Sequence, residues 1–157
     1  MTLTEYKNYF KSLSEHHSVI QDFCIGGSER ILNRMRSEIR YPICWLEYPD
    51  VSMVQNGGTK ARFSGSFSIL FQCAPSDWNQ EDADLDQALQ ICLEFLERMV
   101  EDEENGQLFE FDVMGIDIQM KEKYADDNDH GWRVSFDLVS MTPCLPDQAF
   151  DDDDDDD

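Results

Sequence analysis

Basic residues are scarce in this chain of 157 residues, which has 12 lysines and arginines against 34 aspartates and glutamates. The formal net charge is −22, and seven of the negative charges belong to the terminal run Asp151–Asp157. The rest of the chain still carries 27 acidic against 12 basic side chains. Because like charges repel, such a surface opposes contact with nucleic-acid phosphates and anionic membranes. We therefore expect no direct, sequence-specific nucleic-acid binding and no membrane association.

Long apolar runs are also absent. No stretch approaches the about 18 consecutive apolar residues of a membrane-spanning helix, and the N-terminal MTLTEYKNYFKSL lacks the apolar segment of a signal peptide. Hydrophobic residues still make up 41% of the chain, enough for a folded core. We expect a protein made in the cytoplasm, with one domain at residues 1–146 and an acidic tail at 147–157 that is disordered by composition. The tail is interpreted as a solubilising segment, an added low-complexity run or a short anionic ligand for a basic patch.

Catalytic and cofactor motifs are missing. The chain has no nucleotide-binding glycine motif and no Gly-x-Ser-x-Gly, and its five cysteines form no Cys-x-x-Cys pair. Scattered cysteines of this kind are typical of small buried hydrophobic residues in a reducing compartment. No spacing places a histidine beside any of them, and nothing selects a glycosidase-type pair among the acidic residues. We expect neither an enzyme nor a bound cofactor.

One stretch resembles a calcium-binding loop. Asp126, Asn128, His130 and Gly131 occupy its first, third, fifth and sixth places, and Asp137 occupies its twelfth. His130, however, stands where the loop has an oxygen ligand, and Asp137 falls within a predicted strand. An acidic turn without a metal ion is the better interpretation.

The clearest structural signal is Ala61–Ala74, which alternates with a period of two. One side carries large apolar residues and the other carries serines, a pattern typical of a central strand with one face against helices. The predicted core residues of this strand are Phe63, Phe67, Ile69 and Phe71. The serines of the other face are Ser64, Ser66 and Ser68.

Three helices are predicted from apolar spacing and capping residues. The first begins at a Thr2–Glu5 capping box and runs as far as Cys24, before Gly26-Gly27. The second runs from Glu29 to about Ile39, and the third from Asp82 or Asp84 to about Val100, with acidic residues at its end.

Strands are predicted at Tyr41–Tyr48 and Val51–Gln55, before an Asn56-Gly57-Gly58 hairpin turn, and later in a second hairpin. That hairpin comprises Leu108–Lys123, with a β-bulge at Met114-Gly115, and a last strand over Trp132–Leu138. The sequence therefore predicts an α+β fold with a mainly antiparallel sheet of about four strands and two or three helices packed on it.

This order of elements resembles the small tail-terminator, or tail-completion, proteins of long-tailed phages and related contractile particles. The resemblance rests on ILNRMRSEIRYP at residues 31–42 running into the first strand, on the Asn-Gly-Gly hairpin, on the long Phe/Ser strand, and on the acidic third helix before a bulged hairpin. It covers residues 3–142. The N-terminal helix and the poly-aspartate tail depart from the usual small core of that family.

The resemblance implies a non-enzymatic ring, often hexameric, that caps the tail tube and meets the head connector. Its partners would be other copies of the chain, the tail-tube protein and the head-connector protein. It would be found in the cytoplasm of the bacterial host during assembly and in the virion tail. A competing interpretation is an acidic adaptor or decoy that occupies a basic site on a partner protein. A third is a small-ligand or enzyme module whose site the sequence does not reveal.

Two clusters of charge are candidates for a subunit or partner interface. Four arginines crowd the predicted second helix, and four carboxylates crowd the end of the third, where the helix dipole disfavours negative charge. The ordinary interpretation is a solvated face with local ion pairs. In a head-to-tail ring, the two clusters would meet across each interface, with the serine face available for sheet contact. The residues are Arg30, Arg34, Arg36, Arg40, Glu101, Asp102, Glu103 and Glu104.

Overall fold

The computed structural model describes residues 1–27, 38–54, 60–106, 109–121 and 128–141, and within these it contains two α-helices and seven β-strands. The α+β class is confirmed, but the sheet is larger than predicted. In chain order the elements are α1 (Leu3–His16), β1 (Asp22–Ile25), β2 (Ile43–Leu46), β3 (Asp50–Val54), β4 (Lys60–Gln72), α2 (Trp78–Glu104), β5 (Glu110–Phe111), a 3₁₀ turn (Val113–Gly115), β6 (Asp117–Lys121) and β7 (Asp129–Met141).

The sheet is built around the antiparallel pair β4 and β7, which stay in register from Lys60 opposite Met141 to Gln72 opposite Asp129. The other edge of β4 pairs with β3 along its first half and with β2 along its second half. These two short strands therefore lie end to end beside β4. The outer edge of β7 is shared in the same way by β5 and β6. Strand β1 lies outside β2 and runs parallel to it, so the sheet is mixed. The other five strand pairs among the described residues are antiparallel, which agrees with the predicted mainly antiparallel sheet.

The two helices cover one face of the sheet, where the alternating residues of β4 meet them. Phe63, Phe67, Ile69 and Phe71 are all buried, which confirms the predicted core. The ring of Phe67 packs against rings from α1, α2 and β7, with centroids 5.8 Å from Phe10, 5.4 Å from Phe95 and 6.0 Å from Phe136. One side chain of the central strand therefore joins both helices to the sheet.

The first helix is shorter than predicted. Its capping box is confirmed: Thr2 accepts from the backbone N–H of Glu5, and Glu5 accepts from that of Thr2. The extension to Cys24 is wrong, because the helix ends at His16 and Asp22–Ile25 forms β1. Neighbouring residues of β1, which point to opposite faces of the sheet, are buried or partly buried. The sequence therefore shows a continuous apolar run, which is compatible with a helix as well as with a strand.

The second predicted helix lies almost wholly outside the described residues, as do the Asn56-Gly57-Gly58 turn and the tail at 147–157. The third helix is α2, and it is longer than predicted, beginning at Trp78 rather than at Asp82 or Asp84. Asp77 caps it by accepting from the backbone N–H of Gln80, so polar residues that resembled a loop form its first turns.

The predicted β-bulge at Met114-Gly115 is instead a 3₁₀ turn. The side chain of Asp112 accepts from the backbone N–H of Met114 at 3.0 Å, and the carbonyl of Asp112 accepts from that of Gly115 at 3.2 Å. These bonds close a turn that takes Val113–Gly115 out of the ladder. The phase change in the sequence is real, but it marks two separate strands, β5 and β6.

On the face of the sheet opposite the helices, Ser66 and Ser68 are buried and only Ser64 is exposed. An apolar cluster of Cys24, Ile43 and Leu70 lies on this face, with Ile39 and Trp45 packed against it. The predicted serine face is therefore not an open surface along its whole length. No helix among the described residues is long and apolar enough to cross a membrane.

Candidate functional site

The basic half of the predicted interface lies mostly outside the described residues, which include Arg40 but not Arg30, Arg34 or Arg36. Arg40 is exposed, and its backbone N–H donates to the side chain of Asp22 at 3.4 Å. Asp22 opens β1, so the described end of this basic segment lies at the β1 side of the sheet.

The acidic half lies in the last turn of α2, and its members have different surroundings. Asp102 is buried and accepts from the Tyr9 hydroxyl at 3.0 Å and from Arg98 Nε at 2.9 Å. Burial, together with the negative charge of Asp102, raises the pKa of Tyr9. Asp102 therefore joins α2 to α1 within the chain. The carboxylates that remain on the surface are Glu101, Glu103 and Glu104, of which Glu103 is partly covered.

Strand β3 forms part of one edge of the sheet, and no other strand among the described residues pairs with its outer side. Val51 and Met53 lie opposite the buried Phe63 and Ala61, on the helix side of the sheet. They are nevertheless 58% and 62% exposed. An open strand edge with uncovered apolar side chains is a surface that favours association.

The opposite edge is formed by β5, the 3₁₀ turn and β6, which within the described part of the chain pair only with β7. Met114 at the tip of the turn is 95% exposed, and Val113 and Met120 are also exposed. The acidic end of α2 lies at this same edge, because Tyr9 contacts both Asp102 and the ring of Phe109, just before β5. The sheet thus presents different apolar surfaces at its two edges.

A polar cluster lies on the face of the sheet away from the helices. Arg133 makes a two-point contact with Glu47, with Nε 2.7 Å from Oε1 and Nη2 2.9 Å from Oε2. Arg133 also donates to Ser66 at 2.6 Å and to Ser135 at 2.8 Å. The hydrogen bond from Arg133 is the main reason why the pKa of Glu47 is lowered. With its arginine engaged by groups of the same chain, this cluster is suited to holding strands together rather than to binding an anion.

The groove between α1 and α2 has a volume of about 490 Å³, large enough for a small ligand. Its charged groups are, however, already paired: His17 lies 2.8 Å from Glu94, and Arg98 contacts Asp102. The hydrogen bond from His17 is the main cause of the lowered pKa of Glu94. Each of these four groups therefore already has a partner within the chain, and none of them is left for a charged ligand.

Sequence reasoning missed a group of three side chains that could bind a metal ion: Cys73, Asp84 and His130. Their nearest ligand atoms all lie within 4.8 Å of one another. No short spacing links these positions, so only the pairing of β4 with β7 and the packing of α2 reveal the group. The calcium-loop spacing, interpreted from the sequence as an acidic turn without a metal ion, does not bring His130 and Asp137 together. Residues seven apart on β7 point to opposite faces of the sheet. Asp126 lies outside the described residues.

A comparison with protein-family models finds no match for this chain, and a comparison with curated protein sequences finds none either. The fold and the two sheet edges that have no further strand in the described part of the chain are therefore the basis for a functional proposal.

Proposed function

We propose that this chain is a non-enzymatic structural subunit of a phage tail or tail-like particle, which forms a ring that terminates the tail tube or joins it to the head connector. The resemblance of its element order to tail-terminator proteins supports this proposal. The observation that carries it is the presence of two different edges at opposite sides of one sheet, each with exposed apolar side chains and each unpaired on its outer side among the described residues.

Two different surfaces on opposite sides favour head-to-tail association. When a surface on one subunit binds a different surface on the next, repeated contacts produce a ring if the rotation between subunits closes. Val51 and Met53 on the β3 edge of one subunit would contact Val113 and Met114 on the 3₁₀ turn of its neighbour. Such contacts would cover the most exposed apolar residues of both edges.

The distribution of charge supports the same direction of assembly. Arg40 lies at the β1 side of the sheet, while Glu101 and Glu104 lie at the β5 side. In a ring these sides face each other, so opposite charges would set the register of neighbouring subunits. We include Arg30, Arg34 and Arg36 in the proposed interface because they precede Arg40 closely in the sequence. Head-connector and tail-tube proteins remain the proposed partners.

The alternative is an acidic adaptor that occupies a basic site on another protein. The excess of 27 acidic over 12 basic side chains outside the terminal run favours it. An adaptor requires no self-association, whereas a ring subunit requires two surfaces that bind each other. A charge introduced at one edge should therefore reduce self-association if the chain forms a ring. It should have no such effect if the chain is an adaptor.

The test introduces a lysine into either apolar edge. Met53→Lys and Met114→Lys should each lower the fraction of assembled protein by at least roughly tenfold, because a charge would be buried in the proposed interface. Leu93→Lys is the matched control, since Leu93 is also exposed but lies midway along α2, away from both edges. Assembly would be measured by sedimentation velocity at low and high salt.

The proposal requires that both edge variants lose assembly while the Leu93 variant keeps it. Equal assembly of all three variants and the unchanged protein would contradict the edge-to-edge contact. A protein that stays monomeric at every concentration, yet elutes with a basic partner, would favour the adaptor instead.

A further inference from the structure

Three elements meet at one end of the sheet and bring together a thiol, a carboxylate and an imidazole. Cys73 directly follows β4, Asp84 lies in the second turn of α2, and His130 is the second residue of β7. His130 is fully buried and Asp84 is 5% exposed, while Cys73 is partly exposed. The cluster therefore has a closed inner side, formed by the two buried groups, and an outer side at the cysteine.

The hydrogen bonds of His130 determine which nitrogen carries a proton. Nδ1 lies 2.9 Å from the backbone carbonyl oxygen of Asn128, and a carbonyl can only accept, so Nδ1 donates. In a neutral imidazole the other nitrogen, Nε2, then has a lone pair. That nitrogen lies 3.0 Å from Oδ2 of Asp84, which also offers lone pairs. A proton or a metal ion must therefore lie between Nε2 of His130 and Oδ2 of Asp84.

Both buried side chains make a further hydrogen bond that fixes their orientation, as metal ligands usually do. A histidine ligand typically donates its second ring N–H to a backbone carbonyl or a carboxylate, which fixes its orientation. His130 does so to Asn128. The other oxygen of Asp84, Oδ1, accepts from Gln80 Nε2 at 2.7 Å, which leaves Oδ2 directed at the histidine.

The backbone around His130 is also constrained. Gly131 follows it, and a Cβ at this position would collide with the backbone carbonyl oxygen of Ile69. Strand β7 can therefore approach β4 closely only because this residue is a glycine. This close approach keeps the start of β7 beside the end of β4, where Cys73 lies.

We propose that Cys73, Asp84 and His130 bind one divalent transition-metal ion of the zinc type. A tetrahedral zinc ion with sulfur, nitrogen and oxygen ligands requires ligand atoms roughly 3.3–3.6 Å apart. The observed separations, 3.0 Å between nitrogen and oxygen and at most 4.8 Å for the others, are close to this. Binding would require the contact between Nε2 of His130 and Oδ2 of Asp84 to widen slightly and the partly exposed Cys73 side chain to adjust. The fourth position lies toward the outer side and would be taken by water.

The donor set distinguishes this metal class from others. Magnesium and calcium prefer oxygen ligands, and only one of the three donors here is an oxygen. A thiolate, an imidazole and a carboxylate together suit Zn²⁺ and Co²⁺. None of the three proposed ligands is among the apolar edge residues of the proposed ring interface, so the metal site can be tested independently of the ring.

The test is a titration of the metal-free protein with Co²⁺, followed by absorption. A cobalt–thiolate bond gives an intense charge-transfer band, which weak binding by the poly-aspartate tail does not produce. The unchanged protein should bind one Co²⁺ per chain and show this band, and one equivalent of Zn²⁺ should abolish it. Cys73→Ser should lose the band and at least tenfold of the affinity. Cys24→Ser, which removes a thiol in the apolar cluster on the other face of the sheet, should keep the band and the affinity.

Folding of the Cys73 variant is checked by its melting temperature without metal, which should match that of the metal-free unchanged protein, because Cys73 is partly exposed. Added Zn²⁺ should raise the melting temperature of the unchanged protein and of Cys24→Ser, each relative to its own metal-free form, but not that of Cys73→Ser. A stoichiometric band that survives Cys73→Ser, or no band in the unchanged protein, would overturn the proposal. Asp84 and His130 would then form only a buried hydrogen bond that joins α2 to β7.

Discussion

The contact between Arg133 and Glu47 should contribute measurably to stability, and its removal tests how the sheet is held together away from the helices. Arg133 lies on β7, Glu47 follows β2, and β4 runs between them, so the pair spans three strands. The Arg133→Met variant keeps much of the apolar side chain but removes both hydrogen bonds to Glu47. It also removes the bonds to Ser66 and Ser135.

The expected cost follows from the exposure of the pair. Hydrogen bonds to charged groups contribute about 1.5–3 kcal/mol when buried. The side chains of Arg133 and Glu47 are 26% and 32% exposed, so solvent screening reduces this value. We expect Arg133→Met to lower the free energy of unfolding by roughly 1–3 kcal/mol. Arg133→Lys, which keeps the charge but loses the two-point geometry, should cost about half as much.

The pH dependence of this effect has a definite sign. The pKa of Glu47 is lowered in the folded protein, so its pairing stabilises the fold fully above the unfolded pKa, near 4.5. This stabilisation is lost as the pH falls through the folded pKa. The difference between the unchanged protein and Glu47→Gln should therefore shrink below pH about 4.5. Acid also reduces the general repulsion between carboxylates, but it does so in both proteins. The difference between their free energies of unfolding therefore reports the contribution of Glu47.

The assay is urea unfolding at neutral and acidic pH, with the double variant Glu47→Gln/Arg133→Met completing a mutant cycle. A coupling free energy of about 1 kcal/mol or more is expected between the two residues. The reasoning is refuted if Arg133→Met costs less than about 0.5 kcal/mol. It is equally refuted if the difference for Glu47→Gln stays constant down to low pH.

Two further predictions concern the helix side of the sheet. Phe67→Ala should lower the free energy of unfolding by roughly 3–5 kcal/mol, because Phe67 is fully buried among three aromatic rings. Val51→Ala, at an exposed position, should change it by less than about 0.5 kcal/mol. Equal melting temperatures for these two variants would show that the core is elsewhere. Gly65→Ala should cost roughly 1–3 kcal/mol in thermal unfolding, since its Cβ would collide with the Tyr6 hydroxyl, which donates to the Glu47 carbonyl. A Tyr6→Phe background, which removes that hydroxyl, should reduce the cost.

Local sequence patterns predicted the parts of the fold in which the two faces of an element differ in polarity. The alternation of β4 identified its core residues correctly, and the Thr2–Glu5 capping box located the start of α1. The same reasoning failed at β1, where Ile25 and Cys24 are buried in different apolar clusters and the pairing partner, β2, is distant in the sequence. It also failed at the start of α2, where a single capping aspartate, Asp77, outweighs the loop-like composition.

The candidate sites depended on contacts that local patterns do not encode. Asp102 appeared to be one of four equivalent surface carboxylates, but Tyr9 and Arg98 pair with it inside the chain. Cys73 and His130 meet only because β4 and β7 are paired over their whole length, which places the end of one beside the start of the other. The exposure of Met114 likewise depends on a turn that one side chain, Asp112, closes.

The central claim is that the two open edges of the sheet bind each other and form a closed ring. Native mass spectrometry of the unchanged protein over a range of concentrations tests it most directly. The account predicts one discrete oligomer of several subunits, often six in the family that the chain resembles, which grows at the expense of the monomer without larger species. A monomer alone at every concentration, or an open series of ever larger oligomers, would contradict it.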